Sequence, residues 1–452
     1  MLFIGVLMGA LDIAIVGPAL PAIRATFGAG ERDVSWIFSL YVLCNLIGTP
    51  LMAKLSDRYG RRPVYITAVV LFAAGSLLVA LAPSFRVFLA GRSVQGFGAG
   101  GIFPVATAVI GDAFPPERRG GALGLIGAVF GIAFILGPLI GGLILPFGWQ
   151  WLFLINLPVA ALVIAMALQR LPAARRPEQP PFDWPGMAAL AGHLVLLAYG
   201  INRIDTAHFA QSLRSHGVWP SLAAAALLGL SYIVIEQRAR DPILRLRLYT
   251  SRQTIIAGIL AVGAGAGQLG VVYLPSMAVA AFGVSNATAS FLQLPLVIAV
   301  SVGSPFVGRM LDRYGSRAVV VPGALFFLGG MLMHGTTVSA LPEFIIAGML
   351  TGLGLAALVG APVRYIMLNE APPAERAAAQ GLMTLNISIG QLVSSALLGA
   401  LVASRGGGVP GYRSAFLFVA AIGMVLMVMA TGLKNRAEEQ ATMTAEGGRR
   451  AT

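Results

Sequence analysis

Apolar runs of about twenty residues, separated by short polar breaks, occupy most of the chain, and a helix of that length crosses about 30 Å of hydrocarbon. The pattern predicts spans near 2 to 22, 33 to 53, 63 to 82, 86 to 111, 121 to 145 and 150 to 169. After a Pro/Arg-rich linker it predicts 184 to 202 and 218 to 236, then 253 to 281, 287 to 309, 318 to 339, 343 to 366, 379 to 403 and 413 to 433. The expected fold is an all-α polytopic membrane protein of fourteen helices. An even number of crossings puts both termini on one side.

The polar breaks repeat. Asp57-Arg58-Tyr59-Gly60-Arg61-Arg62 returns 255 positions later as Asp312-Arg313-Tyr314-Gly315-Ser316-Arg317. Phe114-Pro115-Pro116-Glu117-Arg118 and Pro372-Pro373-Ala374-Glu375-Arg376 stand 258 apart, and so do Pro104 and Pro362. Six helices with their loops occupy about 170 residues, which is well short of this offset, so two helices are inserted between duplicated halves. The expected domains are a six-helix bundle at 1–170, a linker with two inserted helices at 171–252, a second six-helix bundle at 253–433 and a tail at 434–452. Parallel halves of this kind rock about a central cavity and open it to each side in turn.

Composition narrows the class. With 57% hydrophobic residues, 11% charged residues and a mean hydropathy of +0.82, the chain lies outside the range of soluble globular proteins. Fifty-six glycines suit helices that pack through small residues. The net charge of +13 would suggest nucleic acid in a soluble chain. Here twenty-three basic residues fall on the terminal side and seven on the other, which makes the terminal side cytoplasmic and explains the charge by topology. The single cysteine, Cys44, allows no intrachain disulfide, and four scattered histidines lack metal spacing. No phosphate loop ending in Lys-Ser/Thr is present, which argues against direct ATP drive; the chain is expected to be a transporter and not an enzyme. The start, Met1 to Leu7, lacks a basic n-region and a cleavage site and reads as the beginning of the first span.

On these motifs the chain resembles the major facilitator superfamily, and within it the fourteen-helix drug:proton antiporters, in a 6+2+6 arrangement. The family's loop signature is met by Leu55, Asp57, Arg58, Gly60, Arg61 and Arg62, with Ala53 where glycine is usual. Its fourth-helix pattern is met by Arg92, Gln95, Gly96 and Gly98. The antiporter pattern of the fifth helix is met by Gly124, Gly137, Pro138, Gly141 and Gly142, with Ala133 in place of one glycine. The stretches Leu11 to Pro21 and Trp149 to Pro158 look like the fourteen-helix branch in particular, although Gln150 stands where that branch often has arginine.

Asp12 falls near the middle of the first span, where a carboxylate costs about 2.5 to 3.5 kcal/mol on insertion scales. A hydrophobic wall favours its protonated form and cavity water its ionised form, so Asp12 is the expected proton carrier. The rival reading is a fixed partner for a buried arginine. Arg92 is the only base well inside a span; the resemblance implies influence on proton transfer, and the rivals are snorkelling and bonds to carbonyls near Pro104. Gly137-Pro138 is expected to kink the fifth helix, and the resemblance implies that it seals the leak path. A packing kink is its rival. The turns Asp57, Arg58, Gly60, Arg61, Arg62 and Asp312, Arg313 form the expected conformational gate, with Arg61 pairing Asp112. The rival reading is that Arg58, Arg61 and Arg62 only fix topology. Trp36, Tyr41, Gln95, Gln268, Tyr273, Gln293, Asn386 and Gln391 are candidates for a substrate cavity or for helix packing.

The expected function is proton-driven antiport of hydrophobic or amphipathic small molecules, without a cofactor, by a monomer in a bacterial-type inner membrane. A dedicated metabolite exporter shares every motif. A proton symporter fits Gly137-Pro138 less well, and a non-transporting receptor would need neither Asp12 nor Arg92.

Overall fold

A computed structural model describes residues 1–113, 129, 132–133, 136–171, 183–205, 208–239, 248–249, 251–359, 361–370, 376–439 and 441. Regular structure in these residues is helical throughout. In chain order the helices begin with α1 Leu2–Phe27, α2 Glu31–Tyr59, α3 Arg61–Ala80, α4 Phe85–Ala113, α5 Leu136–Phe147, α6 Gln150–Leu154 and α7 Asn156–Arg170. Next come α8 Trp184–Asn202, α9 Phe209–Leu213 and α10 Trp219–Arg238. The remainder are α11 Arg252–Val272, α12 Leu274–Phe282, α13 Asn286–Phe291, α14 Leu294–Tyr314, α15 Ser316–Thr336, α16 Leu341–Val359, α17 Ala361–Glu370, α18 Arg376–Ser404 and α19 Gly408–Thr431.

Thirteen segments among the described residues are long and apolar enough to cross a bilayer, several made of two helices in line. The shorter apolar α5 sits at the end of the fifth expected span, whose first part lies outside the described residues. Breaks fall next to prolines that cannot donate to the preceding turn, as where α11 gives way to α12 just before Pro275. Local chemistry sets several starts. Asp183 Oδ1 accepts from Gly186 N at 2.9 Å to cap α8, and Ser251 Oγ accepts from Thr254 N at 3.2 Å to cap α11.

The chain forms two compact units. The first contains Met1–Ile243 together with Leu274–Phe291 and Ser395–Ser404; the second contains Leu244–Tyr273, Leu292–Ser394 and Arg405–Thr452. Within the first, α4 packs between α2 and α3, α1 runs against α7, α12 and α13, and α8 and α10 pair with each other. A buried bond from Asn202 Nδ2 to Ser35 Oγ at 2.6 Å ties α8 to α2. Within the second, α16 packs between α14 and α15, and α19 lies against α11 and α15. The duplication read from the turns thus reappears as the same packing scheme. Gly60 at φ +96° and Gly315 at φ +83° give the two turns the same left-handed backbone, which L side chains rarely adopt.

Small residues bring the helices close, as expected where lipid supplies no hydrophobic drive for association. A Cβ built on Gly390 of α18 would lie 1.9 Å from the Val262 carbonyl oxygen of α11. Gly390→Ala is therefore expected to lower stability by about 1–3 kcal/mol. Gly329→Ala, where a Cβ meets nothing within 4 Å, is its control and should leave stability unchanged. Thermal unfolding of both variants in detergent checks the pair.

Candidate functional site

Four helices of the first unit converge on Asp12. Their approach is set by glycines in the middle of α3 and α4. A Cβ on Gly75 would lie 2.4 Å from the Gln95 backbone nitrogen, and one on Gly96 would lie 2.3 Å from the Tyr41 carbonyl oxygen. These contacts carry Ser76 to Gln95 and Tyr41 to Arg92. The fourth wall is anchored by Trp149, whose ring packs 5.6 Å from Phe88 and whose Nε1 donates to Thr26 Oγ1 at 2.9 Å. Pinned there, the chain breaks at Ile155 and starts α7 with Asn156 facing Asp12.

Asp12 is fully buried and Arg92 is 1% exposed. Arg92 Nη1 donates to Asp12 Oδ2 at 2.7 Å and to Gln95 Oε1 at 2.6 Å, and its Nε donates to the Ile37 carbonyl at 3.3 Å. Its guanidinium lies 4.2 Å from the centre of the Tyr41 ring, a contact worth about 0.5–2 kcal/mol. Gln95 Nε2 donates to Asp12 Oδ1 at 2.6 Å and to Ser76 Oγ at 2.8 Å. Asn156 Nδ2 reaches the same two oxygens at 3.3 Å and 3.2 Å. Ser76 Oγ donates to the Phe72 carbonyl at 3.0 Å. Two opposite charges are thus matched inside the helices. Arg92 neither snorkels nor serves the backbone near Pro104; of carbonyls, it takes that of Ile37.

The other expected residues fall at separate places. Pro138 and Gly137 lie in α5, where the Pro138 carbonyl accepts from Ser290 Oγ at 2.6 Å. Cβ atoms built on Gly137, Gly141 and Gly142 would run into Ala14, Ser290 and Phe291, so this stretch is pressed between α1 and α13. In the first turn Arg61 Nη1 donates to Ser56 Oγ at 2.7 Å, Arg62 is half-buried, and the Arg58 guanidinium lies 5.6 Å from the Tyr59 ring centre. Arg313 and Tyr314 repeat that last contact at 5.3 Å. The side chains of Asp57, Asp112 and Asp312 lie outside the described residues, and with them the expected Arg61–Asp112 pair.

Among the cavity candidates, Gln95 and Tyr41 belong to the Asp12 network. Trp36 is half-buried on α2. In the second unit Gln391 Nε2 donates to Gln268 Oε1 at 2.6 Å across α18 and α11. Gln293 Nε2 donates to the Val271 carbonyl at 3.3 Å, and buried Tyr273 packs 6.3 Å from the Tyr412 ring. Asn386 Nδ2 donates to Tyr249 Oη. Burial pushes the Tyr249 phenol above its ordinary range, and this bond opposes the shift.

Three features are absent from the expectations. Ser76 and Asn156 are two. The third is the start of the tail, where residues 434–439 are docked. Glu439 is 6% exposed, and its Oε1 accepts from Ser316 N at 3.1 Å and from Ser316 Oγ, capping α15. Lys434 Nζ pairs with Glu370, its backbone N donates to Gln253 Oε1 at 3.2 Å, and Arg436 Nη1 donates to Tyr365 Oη at 3.2 Å. Nothing periodic in an acidic and basic stretch announces such docking.

The family profile of the Major Facilitator Superfamily matches residues 2–237 and 254–450. The chain belongs to the major facilitator superfamily. It is therefore a multi-pass membrane transporter and not an enzyme. It is 34% identical over 408 residues to the uncharacterised MFS-type transporter YfiU of Bacillus subtilis, covering 88% of this chain and 78% of that protein. It is 28% identical to the multidrug transporter protein MdtP of the same organism, covering 90% and 75%. The tetracenomycin C resistance and export protein of Streptomyces glaucescens is 31% identical, covering 90% and 76%. In fold, the chain superposes on an auto-inhibited POT family peptide transporter with a TM-score of 0.70 at 17% identity, covering 96% of each.

In this superfamily member, removing one partner of the Asp12–Arg92 pair strands the other charge in an apolar interior. Asp12→Leu and Arg92→Leu are each expected to lower stability by about 3–5 kcal/mol, and the double variant to recover most of the loss. Thermal unfolding in detergent of all four proteins checks this. Losses that simply add would show that the two side chains are not coupled.

Proposed function

We propose that the protein is a proton-coupled antiporter that exports hydrophobic or amphipathic small molecules by alternating access. It acts as a monomer in a bacterial inner membrane, with both termini cytoplasmic and the bundles 1–170 and 253–433 flanking an inserted pair. The observation that carries this reading is the fully buried ion pair of Asp12 and Arg92. A carboxylate held in hydrocarbon by a cation and by hydrogen bonds from two helices changes the whole network when a proton neutralises it. Arg92 then keeps Gln95 Oε1 and the Ile37 carbonyl and loses its hold on α1. Protonation in this way favours one arrangement of the helices over another.

The energetics suffice without a cofactor. One proton entering releases about 2.3 kcal/mol per 100 mV and about 1.4 kcal/mol per pH unit. Either term sustains roughly a tenfold or greater substrate gradient per proton exchanged. The contact of Pro138 with Ser290 fits a seal that keeps protons from leaking past α5, and the paired glycine turns fit a gate on the cytoplasmic face. The cargo class is supported by relatives named as multidrug transporters. A second reading, a dedicated exporter of one natural product, is favoured by the similarity to the tetracenomycin C export protein.

Inverted vesicles loaded with a fluorescent lipophilic cation, with and without a pH gradient, test the proposal. Native protein should accumulate the dye only under the gradient, and Asp12→Asn should lose at least about nine-tenths of that accumulation, one factor of ten in rate. No accumulation of this or a chemically varied dye panel, while the gradient holds, would remove broad drug export and leave the dedicated-exporter reading.

A further inference from the structure

The Asp12 network contains more hydrogen-bonding machinery than a carboxylate–guanidinium pair requires. Asp12 Oδ2 is taken by Arg92, and Oδ1 receives two amides, Gln95 Nε2 at 2.6 Å and Asn156 Nδ2 at 3.3 Å. Behind these amides stands Ser76. Its Oγ accepts from Gln95 at 2.8 Å and from Asn156 at 3.2 Å, while its own hydrogen is committed to the Phe72 carbonyl at 3.0 Å. That commitment fixes the orientation of both amides, because each then faces two acceptors and must present its NH₂ end. Asn156 is 2% exposed and Ser76 is fully buried, so water does not substitute for either.

We propose that Asn156 and Ser76 are positioning residues for proton transfer: together they hold the donor faces of two amides against Asp12 Oδ1 and so set the pH at which Asp12 takes up its proton. The inference rests on the reading of Asp12 as the carrier. Each side chain of the network that reaches the carboxylate does so as a donor, so an arriving O–H finds donors where it needs an acceptor. For Asp12 to stay protonated, an amide must turn its oxygen inward. Turning Asn156 breaks its bond to Ser76, and this passes the change from α1 to α3 and α7. The proton itself ends on Asp12, and no other bond is made or broken.

Among the described residues, the charged and titratable groups facing Asp12 are Arg92 from α4 and Tyr41 from α2. From α3 and α7 come Ser76 and Asn156, which do not titrate. The segments α5, α6, α12 and α13 carry no titratable residue. A shift in the proton uptake of Asp12 on changing Asn156 therefore acts through hydrogen bonding and not through a lost charge.

Infrared difference titration of the purified protein tests this without any transported substrate. The carbonyl stretch of protonated Asp12 is the band that disappears in Asp12→Asn. In Asn156→Leu its midpoint should move to higher pH by about one to two units, the worth of a hydrogen bond to a charged group. Ser76→Ala should move it the same way by less, because Asn156 and Gln95 keep their donors but lose the acceptor that orients them. Midpoints that coincide with the native one, in variants of native melting temperature, overturn the proposal. If Asn156→Leu does not fold, Ser76→Ala, which removes only a hydroxyl, decides the matter in the same way. A native protein in which no Asp12 band titrates takes the carrier and the bracket down together. A moved midpoint in a protein that exports no dye keeps the bracket and overturns only the cargo reading.

Discussion

A carboxylate and a guanidinium meeting at 2.7 Å with almost no exposed surface can remain among apolar helices only if their other donors and acceptors are matched. Much of the first unit follows from that requirement. The glycines of α3 and α4 allow backbones close enough for Ser76 and Gln95 to touch, the Tyr41 ring covers the guanidinium, and the break at Ile155 turns Asn156 inward. The polar cluster has no net charge when the pair is ionised and one positive charge when Asp12 is neutral. Its environment therefore matters most at the moment a proton arrives.

The fold was largely legible because its signals are strong and local. Apolar runs of crossing length are set by bilayer thickness, and the duplication shows in turns where Gly60 and Gly315 must adopt a left-handed backbone. An inserted pair is what the length of the offset alone leads one to expect. The site was legible only in part. Asp12 and Arg92 stand out because charge is rare at such depth. Gln95 stood out as polar, yet its place against Asp12 is a property of helix rotation, which hydropathy does not encode. Ser76 and Asn156 lie 80 residues apart and on different helices, so no spacing links them. Asn156 lay inside a recognisable stretch, and a tally of polar residues at matching depths in neighbouring spans was the one signal that would have raised it.

The two halves differ where the chemistry is. Arg92 has no basic counterpart at the repeat offset, where Leu350 stands, and Gly137-Pro138 is replaced by Ser395-Ala396. These positions have not merely lost character. Ser395 hydrogen bonds to Ser39, while the Pro138 carbonyl is bonded by Ser290, so each half uses its own polar chemistry at the equivalent helix. Duplication supplied the scaffold and the packing scheme. The Asp12–Arg92 pair is not repeated at the offset, and the second unit carries amide contacts such as Gln268–Gln391.

The cap on α15 bears on the order in which the molecule is assembled. Ser316 and Glu439 are separated by 123 positions, and four membrane crossings intervene between them. While the ribosome is still delivering those crossings, the amino end of α15 has no carboxylate to receive its N–H groups, and Gln253, Tyr365 and Glu370 lack their partners in the tail. The second unit therefore gains these contacts only once residues 434–439 follow four crossings into place, so a segment late in the chain closes over helices that precede it.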